Sequence, residues 1–445
     1  MSFPEGFAWG TATASYQIEG AVDEGGRSKS IWDTFSHTPG KVDGGDNGDV
    51  ADDHYHRYAE DVQHMADLGV GWYRFSLAWP RLQPDGRGAL NEAGVDFYAR
   101  LIEALLAKDI TPWVTLYHWD LPQVLEDAGG WPERDTAQRF AEYAAAVYER
   151  LSDRVTAWTT LNEPWCSSIL GYSAGAHAPG LTDDGASIKA AHHLMLGHGL
   201  AIDAMRARGG DSVFGITLNL SPTDAASGAP EDVDAARRAD GLANRLFLDP
   251  LLKGTYPDDL GLPSDHIADG DLETINADLD FLGVNYYFRT VVRKAAEKDG
   301  PTIWPLHRDI DPVERGLPKT EMGWEIDAQG LYDILARVAR DYPGVPLYVT
   351  ENGAAFADVK TNGAVHDPDR VEYLRAHFAA AQRAIGDGVD LRGYFVWSLL
   401  DNFEWAYGFS KRFGLIHVDY ETLKRTPKDS ARFYAQVTRA NGLPG

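Results

Sequence analysis

Cysteine is nearly absent: Cys166 stands alone in 445 residues. No intrachain disulfide can form, which fits a reducing compartment. Long apolar runs are missing as well. Without a stretch of about 18 apolar residues, no membrane-spanning helix is expected. The opening MSFPEGFAWG has neither the basic nor the apolar region of a secretory leader. These absences together predict a cytoplasmic protein without a membrane partner. Basic clusters are also scarce. Lys and Arg number 41 against 67 Asp and Glu, for a net charge of −26. A nucleic-acid partner needs a basic face to meet phosphates, and no Lys/Arg-rich run supplies one. The acidity reads instead as a solvated surface. Low-complexity tracts, Gly/Ser linkers and short repeats do not occur.

What the chain does contain is an alternation. β-rich apolar runs occupy 7–13, 70–76, 111–117, 155–161, 213–220, 280–286, 346–350 and 391–397. Amphipathic helical stretches separate them at 52–68, 95–106, 136–151, 187–208, 327–341 and 371–386. Strands alternating with helices imply a parallel sheet with helical crossovers. Eight runs favour a closed (β/α)8 TIM barrel with extended βα loops, spanning 1–445 as one domain. The competing fold is an open doubly wound sheet. Its mark is a Gly-rich phosphate loop after the first strand. Gly25 and Gly26 follow that strand without GxGxxG spacing or a helix start.

A barrel gathers its chemistry where the strands end. Gln17 follows the first run, Arg74 lies near the end of the second, and His118 closes the third. Asn162 and Glu163 close the fourth, and Asn219 lies in the fifth. Asn285 and Tyr287 end the sixth, Glu351 and Asn352 the seventh, and Trp397 the eighth. Polar and aromatic groups therefore concentrate at one mouth. Glu163 in TLNEP and Glu351 in VTENG lie on strands four and seven, across that mouth. A lone strand-end glutamate more often caps a helix or pairs with an arginine. Two facing acids, each beside an asparagine, are the pair glycoside hydrolysis requires. One protonates the leaving oxygen and the other attacks or assists from the opposite face.

The chain resembles glycoside hydrolase family 1, in the manner of bacterial β-glucosidases. FAWGTATASYQIEG, YRFSLAWPR, YHWDLP, TLNEP, GVNYY, VTENG, WSLLDNFEW and KRFGLIHVDY carry the resemblance, in the family's order and over essentially the whole chain. The resemblance implies a retaining β-glucosidase, with Glu163 as acid/base and Glu351 as nucleophile. It implies that Asn162 binds the sugar 2-hydroxyl and that Gln17 and His118 hold the 3- and 4-hydroxyls. Glu404 and Trp405 bind the 3-, 4- and 6-hydroxyl side, Trp397 floors the ring, and Trp324 walls the aglycone site. Arg74 and Tyr287 hold the nucleophile, and Asn285 supports them. A carboxyl separation of about 5–5.5 Å is expected of such a pair. Relatives acting on 6-phosphosugars lose the acid corresponding to Glu404, which this chain keeps. Thioglucosidase relatives lose the acid/base, and Glu163 is present. A non-catalytic sugar binder would need Gln17, His118 and Trp405 but not two opposed acids. The implied partner is a small β-glucoside or oligosaccharide, with glucose favoured over galactose, and cellobiose, plant glucosides and flavonoid conjugates are all open as substrates. Nothing in the sequence specifies an oligomer.

Other features read as structural. His192, His193 and His198 share a helical pattern with no HExxH and no acid at ligand spacing, so helix packing accounts for them. His54 and His56 are read the same way. The acidic segment 43–53 lacks the ligand alternation and terminal Glu of a calcium loop and is expected to be a solvated loop. Cys166 has no His partner placed by sequence and is read as a buried filler. Trp119 and Asn219 are read as either site-lining or packing residues. No metal and no organic cofactor are implied.

Overall fold

The computed structural model of the chain describes residues 2–444. Eight parallel strands close into a barrel. They are β1 (Ala8–Ala12), β2 (Trp72–Ser76), β3 (Thr111–Tyr117), β4 (Ala157–Asn162), β5 (Val213–Asn219), β6 (Phe281–Asn285), β7 (Leu347–Asn352) and β8 (Leu391–Trp397). Each pairs with its neighbours in sequence. β8 returns to β1 with Gly393 opposite Ala8 and Trp397 opposite Ala12. The open-sheet alternative is thereby excluded. All eight runs read from the sequence are these strands, to within a residue or two at their ends.

Crossovers are α1 (His54–Leu68), α2 (Glu92–Leu106), α3 (Arg134–Leu151), α4 (Asp184–Arg206), α5 (Pro230–Asp240), α6 (Ala328–Asp341), α7 (Pro368–Gly386) and α8 (Asp429–Ala440). The logic of α6 is typical. Leu331, Ile334, Leu335 and Val338 recur at helical spacing and are all buried. Asp327 caps its start, accepting a hydrogen bond from the Gly330 N–H at 3.0 Å. α5 and α8 are additional to the helical stretches expected above. α5 carries the polar run PEDVDAARRAD, whose apolar stripe is too thin to stand out. Among the described residues no helix is long and apolar enough to cross a membrane.

The lower end of the barrel is plugged by aromatic rings. Trp113 on β3 meets Phe281 on β6, Tyr348 on β7 and Phe395 on β8 edge-on, at centroid distances of 4.7, 5.0 and 5.2 Å. Such edge-to-face packing adds to the burial of the rings themselves. Above that plug the lining becomes polar.

Two strands break register as they reach the polar end. On β4, Thr159 faces Gly215 and Asn162 faces Thr217, so β4 carries one more residue than β5. On β7, Val349 faces Val284 and Glu351 faces Asn285, again one residue extra. These are β-bulges, which re-aim side chains. They lie immediately before Glu163 and Glu351. Glu163 itself has φ 48°, in the left-handed region.

Candidate active site

All twelve residues expected at the site meet at the C-terminal mouth of the barrel, around a cavity of about 470 Å³. Glu163, Glu351, His118, Trp397, Glu404 and Trp405 are among its lining, with Tyr287, Asn285 and Trp324. Gln17, Arg74 and Asn162 lie just behind, hydrogen-bonded to lining residues.

The two carboxylates end a single chain of hydrogen bonds. Arg74 donates through Nη1 to Glu351 Oε1 at 2.7 Å and through Nη2 to Asn162 Oδ1 at 2.6 Å. Asn285 Nδ2 donates to the same Asn162 oxygen at 3.1 Å and to Glu163 Oε1 at 2.7 Å. The Tyr287 hydroxyl donates to Glu351 Oε2 at 2.7 Å. The Asn285 amide is itself oriented from below. Thr350 Oγ1 donates to its Oδ1 at 2.8 Å, and Thr217 Oγ1 donates to Thr350 at 3.3 Å. The bulge makes this possible, because Thr350 and Glu351 turn their side chains toward the same interior.

The same bonds settle the state of His118. With two donors on Asn162 Oδ1, the Asn162 amide must turn its NH2 to His118 Nε2, 3.1 Å away. Nε2 therefore accepts and Nδ1 carries the proton. Burial, with the Arg74 charge nearby, holds this imidazole well below its ordinary pKa and keeps it neutral. Among the described residues, His118 Nδ1 and Gln17 Oε1 are buried polar atoms without a partner.

The acids differ in electrostatics. Glu163 is pushed up to about 8, first by burial and then by the Glu351 charge. Burial raises Glu351 too, which the presence of Arg74 and Tyr287 alone does not suggest. The guanidinium and the phenol draw it back down. Among the described residues no cation bonds Glu163, so it is the acid of the pair that holds its proton. Glu404 is also pushed up to about 8, by burial and then by both other acids. It accepts from Gln17 Nε2 at 3.4 Å.

Aromatic rings form the other wall. Trp397 and Trp405 lie nearly parallel to the His118 ring, at 5.8 and 5.9 Å. Trp324 is half-buried and packs on Tyr287 at 5.2 Å. Trp119, at φ 79°, lines the cavity and donates its indole N–H to the Asn162 carbonyl at 2.9 Å. Asn219 lines it as well. Gly353 must be glycine here, since a Cβ would fall 1.6 Å from the Trp397 carbonyl oxygen.

Two expectations are corrected. Segment 43–53 is not simply solvated. Asp52 is fully buried, and Asp46 accepts from the Phe409 N–H at 2.9 Å, bracing the loop that carries Glu404 and Trp405. Asp401 anchors the base of the same loop through Lys428 at 2.6 Å and Arg412 at 2.7 Å. Nor is Cys166 a mere filler. Its thiol donates to Glu163 Oε2 at 3.1 Å and it lines the cavity. The contact forms because the chain turns from left-handed Glu163 straight into a helix, with the Cys166 N–H bonded to the Glu163 carbonyl at 2.9 Å. Trp165 and His177 also line the cavity and were not expected there. The histidines of α4 pack as expected. His198 bonds Thr160 Oγ1 at 2.6 Å, His193 the Trp131 carbonyl at 3.1 Å and His192 Asp271 at 2.9 Å. His54, buried, bonds Asp61 at 2.8 Å.

Two buried acids three strand steps apart across a barrel mouth, one bound to a guanidinium and the other not, define a glycosidase site. A family model described as glycosyl hydrolase family 1 matches residues 1–443. The chain is 54% identical to thermostable β-glucosidase B of Thermobispora bispora, over 100% of this chain and 92% of that one. It is 50% identical to a bifunctional β-D-glucosidase/β-D-fucosidase of Bifidobacterium breve, over 98% and 97% of the two chains. The structure of the Thermotoga maritima β-glucosidase in complex with glucoimidazole superposes with a TM-score of 0.94 at 48% identity, covering 99% of this chain and 100% of that one. The chain belongs to glycosyl hydrolase family 1, and with that it is a retaining glycoside hydrolase.

Proposed function

We propose that the enzyme releases terminal, non-reducing β-D-glucosyl residues from small glucosides or oligosaccharides, with Glu351 as nucleophile and Glu163 as acid/base. The observation that carries this assignment is the unequal partnering of the acids. Among the described residues, Glu351 holds Arg74 at 2.7 Å and the Tyr287 phenol at 2.7 Å, while Glu163 holds only the neutral donors Asn285 and Cys166.

In the first step Glu351 attacks the anomeric carbon. The glycosidic bond breaks, and its electron pair leaves on the aglycone oxygen, which takes the Glu163 proton. Having given up its proton, Glu163 stays ionised, because esterified Glu351 carries no charge and no longer repels it. In the second step water attacks the anomeric carbon, Glu163 takes its proton, and the ester electrons return to Glu351. Asn162 stands at the 2-hydroxyl. Gln17 and His118 meet the 3- and 4-hydroxyls, and Glu404 and Trp405 complete that side. The orphaned Gln17 Oε1 and His118 Nδ1 support this, because sugar hydroxyls would satisfy both. Trp397 floors the ring, Trp324 walls the aglycone, and Asn285 and Arg74 keep the acids in place. Glu404 disfavours a 6-phosphosugar, because a phosphate there would bring further negative charge into a group of three buried acids. We assign the whole chain, 1–445, to one catalytic unit, and place it in the cytoplasm on its single cysteine.

An activated 2-deoxy-2-fluoro-β-glucoside tests the roles. Electron withdrawal at C2 slows the second step more than the activated first, so the ester accumulates. Peptide mass analysis is expected to find the sugar on Glu351. Labelling of another residue would overturn the assignment.

A further inference from the structure

Glu163 is gripped at both oxygens, and the two grips differ in kind. Asn285 Nδ2 donates to Oε1 at 2.7 Å. That amide cannot turn over, because its NH2 also meets the Asn162 Oδ1 that Arg74, a donor only, fixes as an acceptor. Oε1 is therefore always an acceptor, and any proton on this carboxyl sits on Oε2. Among the described residues, the one group bonded to Oε2 is the Cys166 thiol, at 3.1 Å.

Local backbone puts the thiol there. Glu163 leaves β4 at φ 48°, and the chain turns at once into a helix. The Cys166 N–H donates to the Glu163 carbonyl at 2.9 Å, opening that turn. The side chains three residues apart then face one another. Residues 166–170 form a π-helical turn, a feature frequent at functional sites.

We propose that Cys166 is a positioning residue for the acid/base, a weak two-way partner that holds the proton-carrying oxygen of Glu163 in both halves of the reaction. The inference rests on the reading of Glu163 as acid/base. A thiol is a weak donor and its sulfur a weak acceptor. When Glu163 is ionised, S–H donates to Oε2. When Glu163 is protonated, the sulfur offers Oε2–H only a weak acceptor, and the proton is free to pass to the departing oxygen. The cysteine keeps its own proton throughout. Burial, reinforced by the Glu163 charge, pushes the thiol well above its ordinary pKa, so it stays S–H. Other groups around Glu163 set its charge but do not bond Oε2. Glu351, Glu404 and Arg74 face it from β7, the loop after β8 and β2, and Tyr287 and His118 are uncharged here.

The sign of the effect follows. Donation to the ionised carboxyl favours ionisation, so removing the donor raises the Glu163 pKa. In Cys166→Val the basic limb of the kcat/KM–pH profile on an aryl β-glucoside is expected to move up by about 0.5–1 unit. In Cys166→Ser, which restores a donor, it is expected to return to the wild-type position or below. The acidic limb is expected to stay in place in both. A basic limb that holds still in Cys166→Val, or that moves up equally in Cys166→Ser, overturns the proposal. Glu163→Gln is measured alongside. If it keeps the wild-type basic limb, Glu163 is not the acid and the underlying reading fails. If it abolishes that limb while the cysteine variants leave it unmoved, only the role of Cys166 fails.

Discussion

The two ends of the barrel are built from the same strands and obey opposite rules. At the lower end β3, β6, β7 and β8 supply Trp113, Phe281, Tyr348 and Phe395, four rings packed edge to face. At the upper end β2, β4, β6 and β7 supply Arg74, Asn162, Asn285 and Glu351, four polar groups in one hydrogen-bonded chain. The lower end is cheap to desolvate and stabilises the closed sheet. The upper end places three acids out of water, where burial raises all three. β6 and β7 serve both ends, so stability and chemistry are separated along a strand by a few residues. Stability at one end can therefore offset strain at the other.

Substitutions can sharpen that contrast. The largest expected effect is at the top. Glu351→Gln should lower kcat by about 10⁴-fold or more, because no group replaces the nucleophile. Its thermal unfolding midpoint should stay at or above wild type. A variant with near-wild-type turnover would break the division of labour. Next is the bottom. Trp113→Ala removes the ring at the centre of the plug and should destabilise the fold by about 3–5 kcal/mol. Kinetics on the folded fraction, at a temperature well below unfolding, should stay within a few-fold of wild type. A large loss of kcat without a loss of stability would show that the plug shapes the mouth.

The smallest effect is in stability against pH. The folded Glu163 value of about 8 lies above the ordinary 4.5. Below pH 4.5 the carboxyl is neutral in both states. Between 4.5 and 8 the unfolded chain ionises while the folded chain does not, so this group costs stability as pH rises, and the cost is complete above 8. Glu163→Gln carries no such cost. Its stability relative to wild type should therefore grow across that window, by about 2–4 kcal/mol. Parallel denaturant titrations at pH 5 and 8.5 measure it. An unchanged difference would mean that Glu163 is not held neutral by burial.

Much of the barrel was legible in the sequence because strands buried on both faces read as continuous apolar runs. The site residues were legible because barrel chemistry collects at strand ends, and because TLNEP, VTENG and NFEW are distinctive in order. What escaped was geometry without a compositional mark. No glycine or proline precedes Glu351 to announce the bulge at Thr350. The contact from Cys166 depends on a left-handed residue and a tight turn that its neighbours do not advertise. Asp46 looked like solvent-facing charge because its partner, the Phe409 amide, lies 363 residues away. The rise in Glu351 was missed because a salt bridge is visible in a motif and desolvation is not.

The two bulges bear on how such a site can be moved or rebuilt. A regular pleat sends consecutive side chains to opposite faces, so a uniform strand could present Glu351 or Thr350 inward, but not both. The extra residue acts as a phase shift, letting one strand deliver an acid and its underlying support to the same side. Removing Val349 or Thr350 should not merely shorten β7. It should rotate every side chain beyond it by half a period and turn the carboxylate into the wall. A transplant of this chemistry onto another scaffold therefore has to carry the phase shift as well as the glutamates.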